Sequence, residues 1–479
     1  MNVFDTLAQS ARQWPDRTAI VDAAGSLDYQ SLWREIEALR VQLTRLDVRA
    51  PQGVGVQARN GRAFVIGALA ALGCGAVVMP IHHLLKREEM SDLLRRVPLC
   101  AILGDGSAVT PACQTAGELK LLDGLSLRFA RLAGPEVPLV PWVQDAAFLR
   151  FTSGTTGAAK GVILTHQGVL ERTRAANTGL GLTCEDRVLW VLPMSYHFFA
   201  SIILYLEVGA TIVVSPDYLA ESILDTALRH EASFLYVTPM HVRMLTAASS
   251  RRVLPPTLRR VMSVSSRLHP EVARAFFVRY QVPVAQGFGI IEVGLPIMNL
   301  EDAAEHPEAV GRPLPGFDAA ILDEQLKSCA GNRTGQLALR GPGMFAGYLH
   351  PPKRREEVLR EGWFLTGDLA HRDDAGRIII DGRLKTVIDV AGHKVFPEEV
   401  AAVLDQHPAV LRSRVTTRPH PQLGEVVHAE VQLRNSATRA ACEDILSFCR
   451  RRLSSHKVPA SLEVVAELDL TSSGKVRHG

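Results

Sequence analysis

The chain has 479 residues, which is longer than one ordinary domain and predicts two or three folding units. Apolar residues make up 47% of it and charged residues 22%, as in a globular protein with a large core. A net charge of only +3 argues against general binding to nucleic acid or membrane surfaces. Seven scattered cysteines without metal-ligand spacing, and no visible secretory signal, predict a cytoplasmic protein.

Residues 63–80 read AFVIGALAALGCGAVVMP and are apolar enough to suggest a short membrane span. Gly73, Gly75 and the β-branched pair Val77 and Val78 divide the segment, however, and polar residues flank it. The pattern therefore favours a helix, a turn and a buried strand in the protein core over a membrane span.

Strand-like runs such as GVGVQA, AVVMPI, AFLRF and FLYVTP alternate with helical stretches through the first two thirds of the chain. This predicts an α/β fold of mainly parallel sheets covered by helices. After Pro307 shorter strands and more turns predict a compact β-rich subdomain. The last hundred residues predict a small α+β unit, joined to the rest near DGRLKT.

Residues 151–166 read FTSGTTGAAKGVILTH, which predicts a strand, a loop, a second strand and then a helix from about Gln167. The spacing differs from the nucleotide P-loop, which needs Lys followed by Ser or Thr at the start of a helix. Gly154 and Gly157 still allow the backbone to turn its N–H groups inward around an anion, and Lys160 adds a positive charge. A polar hairpin turn is the alternative, and the loop alone leaves both open.

Residues 286–294, QGFGIIEVG, place Phe288 where it could stack on a purine and Glu292 at a strand end, where a carboxylate could hold Mg²⁺. The alternative is a turn with a surface acid. Further along, Asp368 and Arg383 have the hydrogen-bonding character needed to bind a ribose or a phosphate. Two β-hairpins with solvated polar tips would give the same pattern.

Gly392, in LKTVIDVAGHKVFPEEV, marks a turn or a close approach to the backbone, and Pro397 begins a helix. Lys475 lies in a small-residue segment, TSSGKVRHG, at the C-terminal end of the sequence. Basic residues in such a position are usually disordered, so this segment carries little weight by itself.

Together and in this order, these five stretches resemble the adenylate-forming superfamily, which includes acyl- and aryl-CoA synthetases, carrier-loading adenylation domains and firefly luciferase. The resemblance covers essentially the whole chain and is strongest at TSGTTGAAKG, GRPLPG, GQLALRGPGMFAGY, GWFLTGDLA, DGRLK and SSGKVR. It implies a large N-terminal domain, residues 1–382, that binds ATP and a carboxylic acid. It also implies a small mobile C-terminal domain, residues 383–479, with its hinge near Lys385.

The resemblance assigns roles to individual residues. Phe288 and Gly289 would pack on adenine, Glu292 would bind Mg²⁺, and Asp368 and Arg383 would hold the ribose. Lys475 would bridge the acid and the α-phosphate. The loop residues that would surround the β- and γ-phosphates are Thr152, Ser153, Gly154, Thr155, Thr156, Gly157 and Lys160.

The acid pocket would include Tyr196, His197 and Gly287, with His197 counted among the catalytic residues beside Lys475 and Glu292. The segment from Val387 to His393, which includes Gly392, would line the tunnel for the acceptor thiol. Two departures from the family pattern stand out. Ile291 replaces a threonine whose hydroxyl touches phosphate, and SVSSRLHP, residues 263–270, carries the bulky Arg267.

The leading hypothesis is an ATP- and Mg²⁺-dependent ligase that joins an aryl or fatty acid to CoA through an acyl-AMP. Family members that activate α-amino acids have an aspartate at the position of His197, so an amino acid substrate is not expected. One alternative is a stand-alone adenylating enzyme that loads an acyl carrier protein. Basic residues 450–452 and Lys457 could favour CoA, although an Arg-rich helix end is more often a solvated face. A nucleotide-binding protein without turnover is the other alternative.

Overall fold

The computed structural model describes residues 2–85, 87–106, 115–133, 139–151, 161–249, 252–384, 388–390, 393–420, 424–434, 440–453 and 455–469. These residues form two compact units. The first contains residues up to 151, 161–319 and 339–364, and the second contains residues 320–338 and 365–469. The predicted boundary between residues 382 and 383 remains a prediction.

Two of the longer helices begin where a side chain accepts a hydrogen bond from an N–H group of the first turn. Asp28 accepts a hydrogen bond from the Ser31 N–H at 2.6 Å, and Thr165 accepts one from the Gly168 N–H at 3.0 Å. A π-helical turn (Phe198–Ile202) follows α6. The helices are α1 (Val3–Gln13), α2 (Tyr29–Arg45), α3 (Arg62–Gly73), α4 (Arg87–Arg96), α5 (His166–Leu180), α6 (Met194–His197), α7 (Ile203–Glu207), α8 (Ala220–Arg229), α9 (Pro239–Ala247), α10 (Pro270–Tyr280), α11 (Arg355–Val358), α12 (Pro397–Leu404) and α13 (Ala440–Arg450).

The strands are short and their order in space differs from their order in the chain. They are β1 (Thr18–Asp22), β2 (Gly25–Asp28), β3 (Gly53–Gln57), β4 (Val77–Ile81), β5 (Leu99–Gly104), β6 (Thr115–Lys120), β7 (Ser126–Arg131), β8 (Ala146–Phe151), β9 (Gly161–Thr165), β10 (Arg187–Trp190), β11 (Thr211–Val214), β12 (Phe234–Val237), β13 (Arg260–Ser263), β14 (Val284–Ile290), β15 (Gly294–Met298), β16 (Arg312–Pro313), β17 (Asp318–Leu322), β18 (Gly335–Arg340), β19 (Gly347–Tyr348), β20 (Lys353–Arg354), β21 (Phe364–Arg372), β22 (Ile378–Arg383), β23 (Ile388–Val390), β24 (His393–Val395), β25 (Val410–His420), β26 (Gly424–Leu433) and β27 (Ser461–Val465).

One nine-stranded sheet of the first unit has the order β16-β15-β14-β13-β12-β10-β11-β1-β2. Its central strands, from β14 to β1, pair in parallel, and β2, β15 and β16 add antiparallel edges. Helices α8, α9 and α10 cover one face with a buried apolar core that includes Leu235, Val261 and Phe276. The predicted α/β class with mainly parallel sheets is therefore confirmed here.

The second nine-stranded sheet has the order β20-β19-β9-β8-β4-β3-β5-β7-β6. Every residue of β3 and β4 is buried, which explains their nearly unbroken apolar sequences. The segment of residues 63–80 forms α3, a turn and β4, as predicted. Within the described chain, no helix has the length and apolar character needed to cross a membrane.

The second unit contains most of a four-stranded sheet, β17-β18-β21-β22, and a sheet in which β24, β23, β26 and β25 follow one another with β27 beside β26. Helices α12 and α13 contribute to the apolar core of the latter sheet, through residues such as Val400 and Ile445. Pro397 is the first residue of α12, as predicted, because its fixed φ angle suits a helix start and its missing N–H is not needed there.

Candidate active site

Two strands present the predicted phosphate loop. β8 and β9 are antiparallel neighbours, and Phe151 pairs with Gly161. The two predicted strands that flank residues 152–160 therefore pair with each other, and α5 follows β9. Residues 152–160 themselves lie outside the described residues, as do Lys385, Val387, Gly392 and Lys475. Their roles remain predictions.

Phe288 and Glu292 lie on one β-hairpin. The apolar run VPVA, residues 282–285, predicts a strand that ends before Phe288. In the structure β14 continues through Phe288 to Ile290, and β15 returns antiparallel beside it. Glu292 therefore lies in the hairpin turn. Gly289 faces the returning strand so closely that a Cβ atom there would be 2.9 Å from the Gly294 carbonyl oxygen. Glycine at position 289 allows this close approach.

The Glu292 carboxylate is held by a tyrosine distant in sequence. The Tyr348 hydroxyl donates a hydrogen bond to Glu292 Oε1 at 2.9 Å, and the Phe345 N–H donates one to the Glu292 carbonyl oxygen at 2.8 Å. Burial and the adjacent carboxylate raise the pKa of Tyr348 well above its usual value, so the hydroxyl keeps its proton. Both contacts fix the orientation of Glu292.

A buried arginine on α5 also holds this hairpin in place. Arg172 on α5 is 2% exposed and donates hydrogen bonds to the carbonyl oxygens of Ile291, at 2.7 Å, and Gly343, at 2.8 Å from Nε. Burial lowers the pKa of Arg172 to about 10, and the Glu292 charge acts in the opposite direction. Gly343 has a φ angle of 66°, and a Cβ atom there would lie 2.1 Å from the Gly168 carbonyl oxygen. Only glycine fits this junction.

Tyr196 and His197 end α6 beside a group of aromatic rings. The His197 ring meets Trp190 edge-on at a centroid distance of 5.6 Å and Tyr236 at 5.8 Å, while Trp190 and Tyr236 stack at 5.5 Å. Burial, together with the positive charge of Arg150, lowers the pKa of His197 to about 4. His197 is therefore a neutral side chain at neutral pH.

Gly287, the third predicted pocket residue, lies in β14 against Met262, Val264 and Leu295. A Cβ atom at this position would lie 3.1 Å from both Met262 Sδ and Leu295 Cδ1. In the nearby departure from the family pattern, residues 263–270, the Arg267 side chain is exposed and Ser265 has a φ angle of 74°.

In the second unit, Asp368 and Arg383 occupy paired positions on the antiparallel strands β21 and β22. Arg383 Nε lies 2.9 Å from Asp368 Oδ1, and Asp368 is 4% exposed whereas the Arg383 side chain is 51% exposed. The Asp368 N–H donates to the Thr366 hydroxyl at 3.0 Å. Asp368 and Arg383, which the sequence predicted to hold the same ribose, are thus adjacent in the structure. Their proposed contact with ribose remains a prediction.

Sequence reasoning missed three residues that shape these sites: Arg150, Arg172 and Tyr348. Tyr348 lies in the quoted stretch GMFAGY, and Arg150 interrupts the apolar strand AFLRF, which was the available signal for it. Arg172 lies in an ordinary helical pattern, and its burial depends on two glycine-containing loops far away in the sequence. No local pattern indicates such a contact.

Comparison with known proteins identifies the chain as an AMP-forming ligase of acids and thiols. The chain belongs to the AMP-binding enzyme family. The family model for the AMP-binding enzyme matches residues 7–349, and the model for its C-terminal domain matches residues 399–475. ATP is accordingly the nucleotide from which AMP is formed.

The chain is 30% identical to a sulfoacetate–CoA ligase of Cupriavidus necator, over 99% of this chain and 97% of the relative. It is 29% identical to a long-chain-fatty-acid–CoA ligase of Escherichia coli O157:H7, over 99% and 93%. The solved structure of O-succinylbenzoate coenzyme A synthetase from Bacillus subtilis in complex with AMP has a TM-score of 0.85 at 22% identity, over 100% of this chain and 97% of that one. This structural likeness supports the fold.

Proposed function

We propose that the protein is an ATP-dependent carboxylic acid–CoA ligase. A carboxylate oxygen of the acid attacks the α-phosphorus of ATP and pyrophosphate leaves, which gives an acyl-AMP. The thiol sulfur of CoA then attacks the acyl carbon, and AMP leaves. The observation that carries the proposal is the oriented Glu292 carboxylate on the hairpin that also bears Phe288, in a chain of the AMP-binding family.

The chemistry of Glu292 fits Mg²⁺. This ion prefers carboxylate oxygens and is usually held by one or two carboxylates together with the phosphates of its substrate. Glu292 is the residue that would hold it, and the ion would supply positive charge against the charge that builds on the phosphate oxygens. The contribution of the chain is to hold the Glu292 carboxylate through the Tyr348 hydroxyl and the Glu292 backbone through the Phe345 N–H.

The residues around His197 support an aryl acid within the predicted class of aryl and fatty acids. Trp190 and Tyr236 are 0% and 5% exposed, and their rings stack on each other next to His197, so the surroundings of His197 are aromatic and apolar. Because His197 is neutral, it orients the substrate by a hydrogen bond or by its ring and not by charge. The names of the relatives range from sulfoacetate to long-chain fatty acids, so these side chains must decide the class.

The names of the relatives favour CoA over a carrier protein as the thiol donor. The basic segment at the end of α13 adds little. Arg450 pairs with Glu443 at 2.7 Å, Arg451 donates to the Ser447 hydroxyl at 2.9 Å, and Arg452 Cζ lies 3.6 Å from the centroid of the Phe448 ring. Such contacts are typical of the solvated face of a helix end.

The test incubates the protein with ATP, Mg²⁺ and a mixture of aromatic and fatty acids, with and without CoA, and identifies the products by mass spectrometry. We expect an acyl-CoA of an aromatic acid, formed only when CoA is present. Acyl-AMP that accumulates and ignores CoA would point to a carrier protein instead. Binding of ATP without any pyrophosphate release across the panel would contradict the ligase proposal.

A further inference from the structure

Arg150 is a charged residue within the otherwise apolar strand β8, one position before the end of the strand. Its neighbours Leu149 and Phe151 are 0% and 8% exposed and belong to the core of the second sheet. Arg150 pairs with Val162 on β9 and points away from these neighbours, because successive side chains of a strand alternate between its two faces. The guanidinium therefore belongs to the opposite face of the sheet from this core.

On that face Arg150 lies next to the predicted acid pocket. Its Cζ is 4.3 Å from the centroid of the Tyr196 ring, which also stacks against His82 at 5.1 Å. The positive charge of Arg150 also acts on His197, the neighbour of Tyr196 in the chain. Arg150 thus contacts one of the three residues that the sequence assigned to the acid pocket, Tyr196, and acts electrostatically on a second, His197.

Two buried arginines of the first unit, Arg62 and Arg172, have anionic neighbours. Arg62 pairs with Asp22 at 2.8 Å and with Asp123 at 3.2 Å, and Arg172 lies near Glu292. Arg150 has no carboxylate partner among the residues that the structure describes, although burial lowers its pKa to about 10. Removing a charge from water is costly unless an opposite charge compensates it. A ligand anion would provide that compensation.

We propose that Arg150 binds a second anionic group of the acid substrate, a carboxylate or a sulfonate distinct from the carboxylate that is adenylated. The inference rests on the proposed ligase function and makes its substrate class more specific. A guanidinium paired with the reacting carboxylate would stabilise the ground state that must attack ATP, and this slows the reaction. Pairing with a non-reacting anion positions the substrate without that cost, and the planar guanidinium suits two-point binding.

The test compares matched acids that differ by one anionic group: propionate with succinate and with 3-sulfopropionate, and phenylacetate with 4-carboxyphenylacetate. Pyrophosphate release by the full-length protein gives kcat/KM for each acid. We expect the wild type to prefer the member of a pair that carries the second anionic group by about 10- to 100-fold, as for a charged hydrogen-bonded pair. Comparing succinate with 3-sulfopropionate distinguishes a carboxylate from a sulfonate.

The variant Arg150→Gln should lose this preference, so that the two members of a pair react within about threefold of each other. The rate with the member that lacks the second anionic group should change little. Arg150→Lys should keep part of the preference. Arg187→Gln removes an exposed arginine that pairs with Glu231 and serves as the control, with the wild-type preference expected. Melting temperatures show whether each variant is folded. If Arg150→Gln is unstable, Arg150→Lys serves as the test variant, because it keeps the positive charge but loses two-point binding.

Three outcomes would overturn the inference. A wild type that reacts equally well with both members of every pair would leave the ligase function standing without a second anionic group. If Arg150→Gln lowers kcat/KM equally for both acids of a pair, Arg150 acts on the reacting carboxylate or on ATP. The absence of pyrophosphate release with any acid would overturn the proposed function, and the inference with it.

Discussion

Replacing Tyr348 with phenylalanine removes one hydroxyl group and leaves the ring in place. Tyr348 is 4% exposed, and its ring packs against Phe345 at a centroid distance of 5.0 Å, a contact that phenylalanine keeps. The lost hydroxyl is the one that donates to Glu292 Oε1 at 2.9 Å. The variant therefore tests whether the orientation of Glu292 matters for the reaction.

A hydrogen bond to a charged group contributes about 1.5–3 kcal/mol, which corresponds to roughly 10- to 150-fold in an equilibrium or a rate. Glu292 is partly exposed, so water replaces some of the lost interaction, and we expect the lower end of this range. A competing effect is that a carboxylate without its donor becomes more basic and binds cations more tightly. We expect the loss of orientation to prevail, because Mg²⁺ demands near-ideal geometry.

The assay measures pyrophosphate release as a function of Mg²⁺ concentration at saturating ATP and acid. For Tyr348→Phe we expect the half-maximal Mg²⁺ concentration to rise about tenfold. The control is Tyr29→Phe, which removes a buried hydroxyl that donates to the Ala210 carbonyl oxygen at 2.8 Å. That variant should lose stability and keep the Mg²⁺ dependence of the wild type. A Tyr348→Phe enzyme with an unchanged or lower Mg²⁺ requirement would refute the role given to Tyr348.

Three further predictions concern separate steps. Lys475→Ala should abolish acyl-AMP formation yet form thioester from supplied acyl-AMP, and equal loss of both half-reactions would contradict its assigned role. Asp368→Asn should raise KM for ATP by about tenfold or more, because the carboxylate is the expected acceptor for ribose hydroxyls. The control Asp318→Asn, which breaks an exposed pair with Arg340, should leave KM for ATP unchanged. His197 has a folded pKa of about 4 against an unfolded value of about 6.5, so the unfolded chain binds more protons between these values. Stability should therefore fall as pH drops from about 6.5 to 4, by up to about 3 kcal/mol, and urea titrations of His197→Asn should show a smaller fall.

Sequence reasoning succeeded where the chemistry lies in one continuous stretch or follows a strong periodicity. The strands on either side of residues 152–160 were predicted from apolar runs, and the start of α12 from Pro397. It failed at contacts between distant segments. Glu292 and Tyr348 are 56 positions apart, and nothing in either local pattern determines which strand will bring them together. The length of β14 was also underestimated, because two glycines at 287 and 289 resemble a turn although they lie in a paired strand.

The isoleucine at position 291 shows how such distant contacts change the meaning of a departure from the family pattern. From the sequence alone, Ile291 removes a hydroxyl that could bind phosphate, a loss of about 0.5–1.5 kcal/mol. In the structure the backbone of Ile291 is held through its carbonyl oxygen, which accepts a hydrogen bond from Arg172. Arg172 also binds the Gly343 carbonyl oxygen, so the hairpin is fixed to a neighbouring loop irrespective of the side chain at position 291. The substitution therefore costs at most one ligand contact, while Glu292 keeps the position that Tyr348 and Phe345 give it.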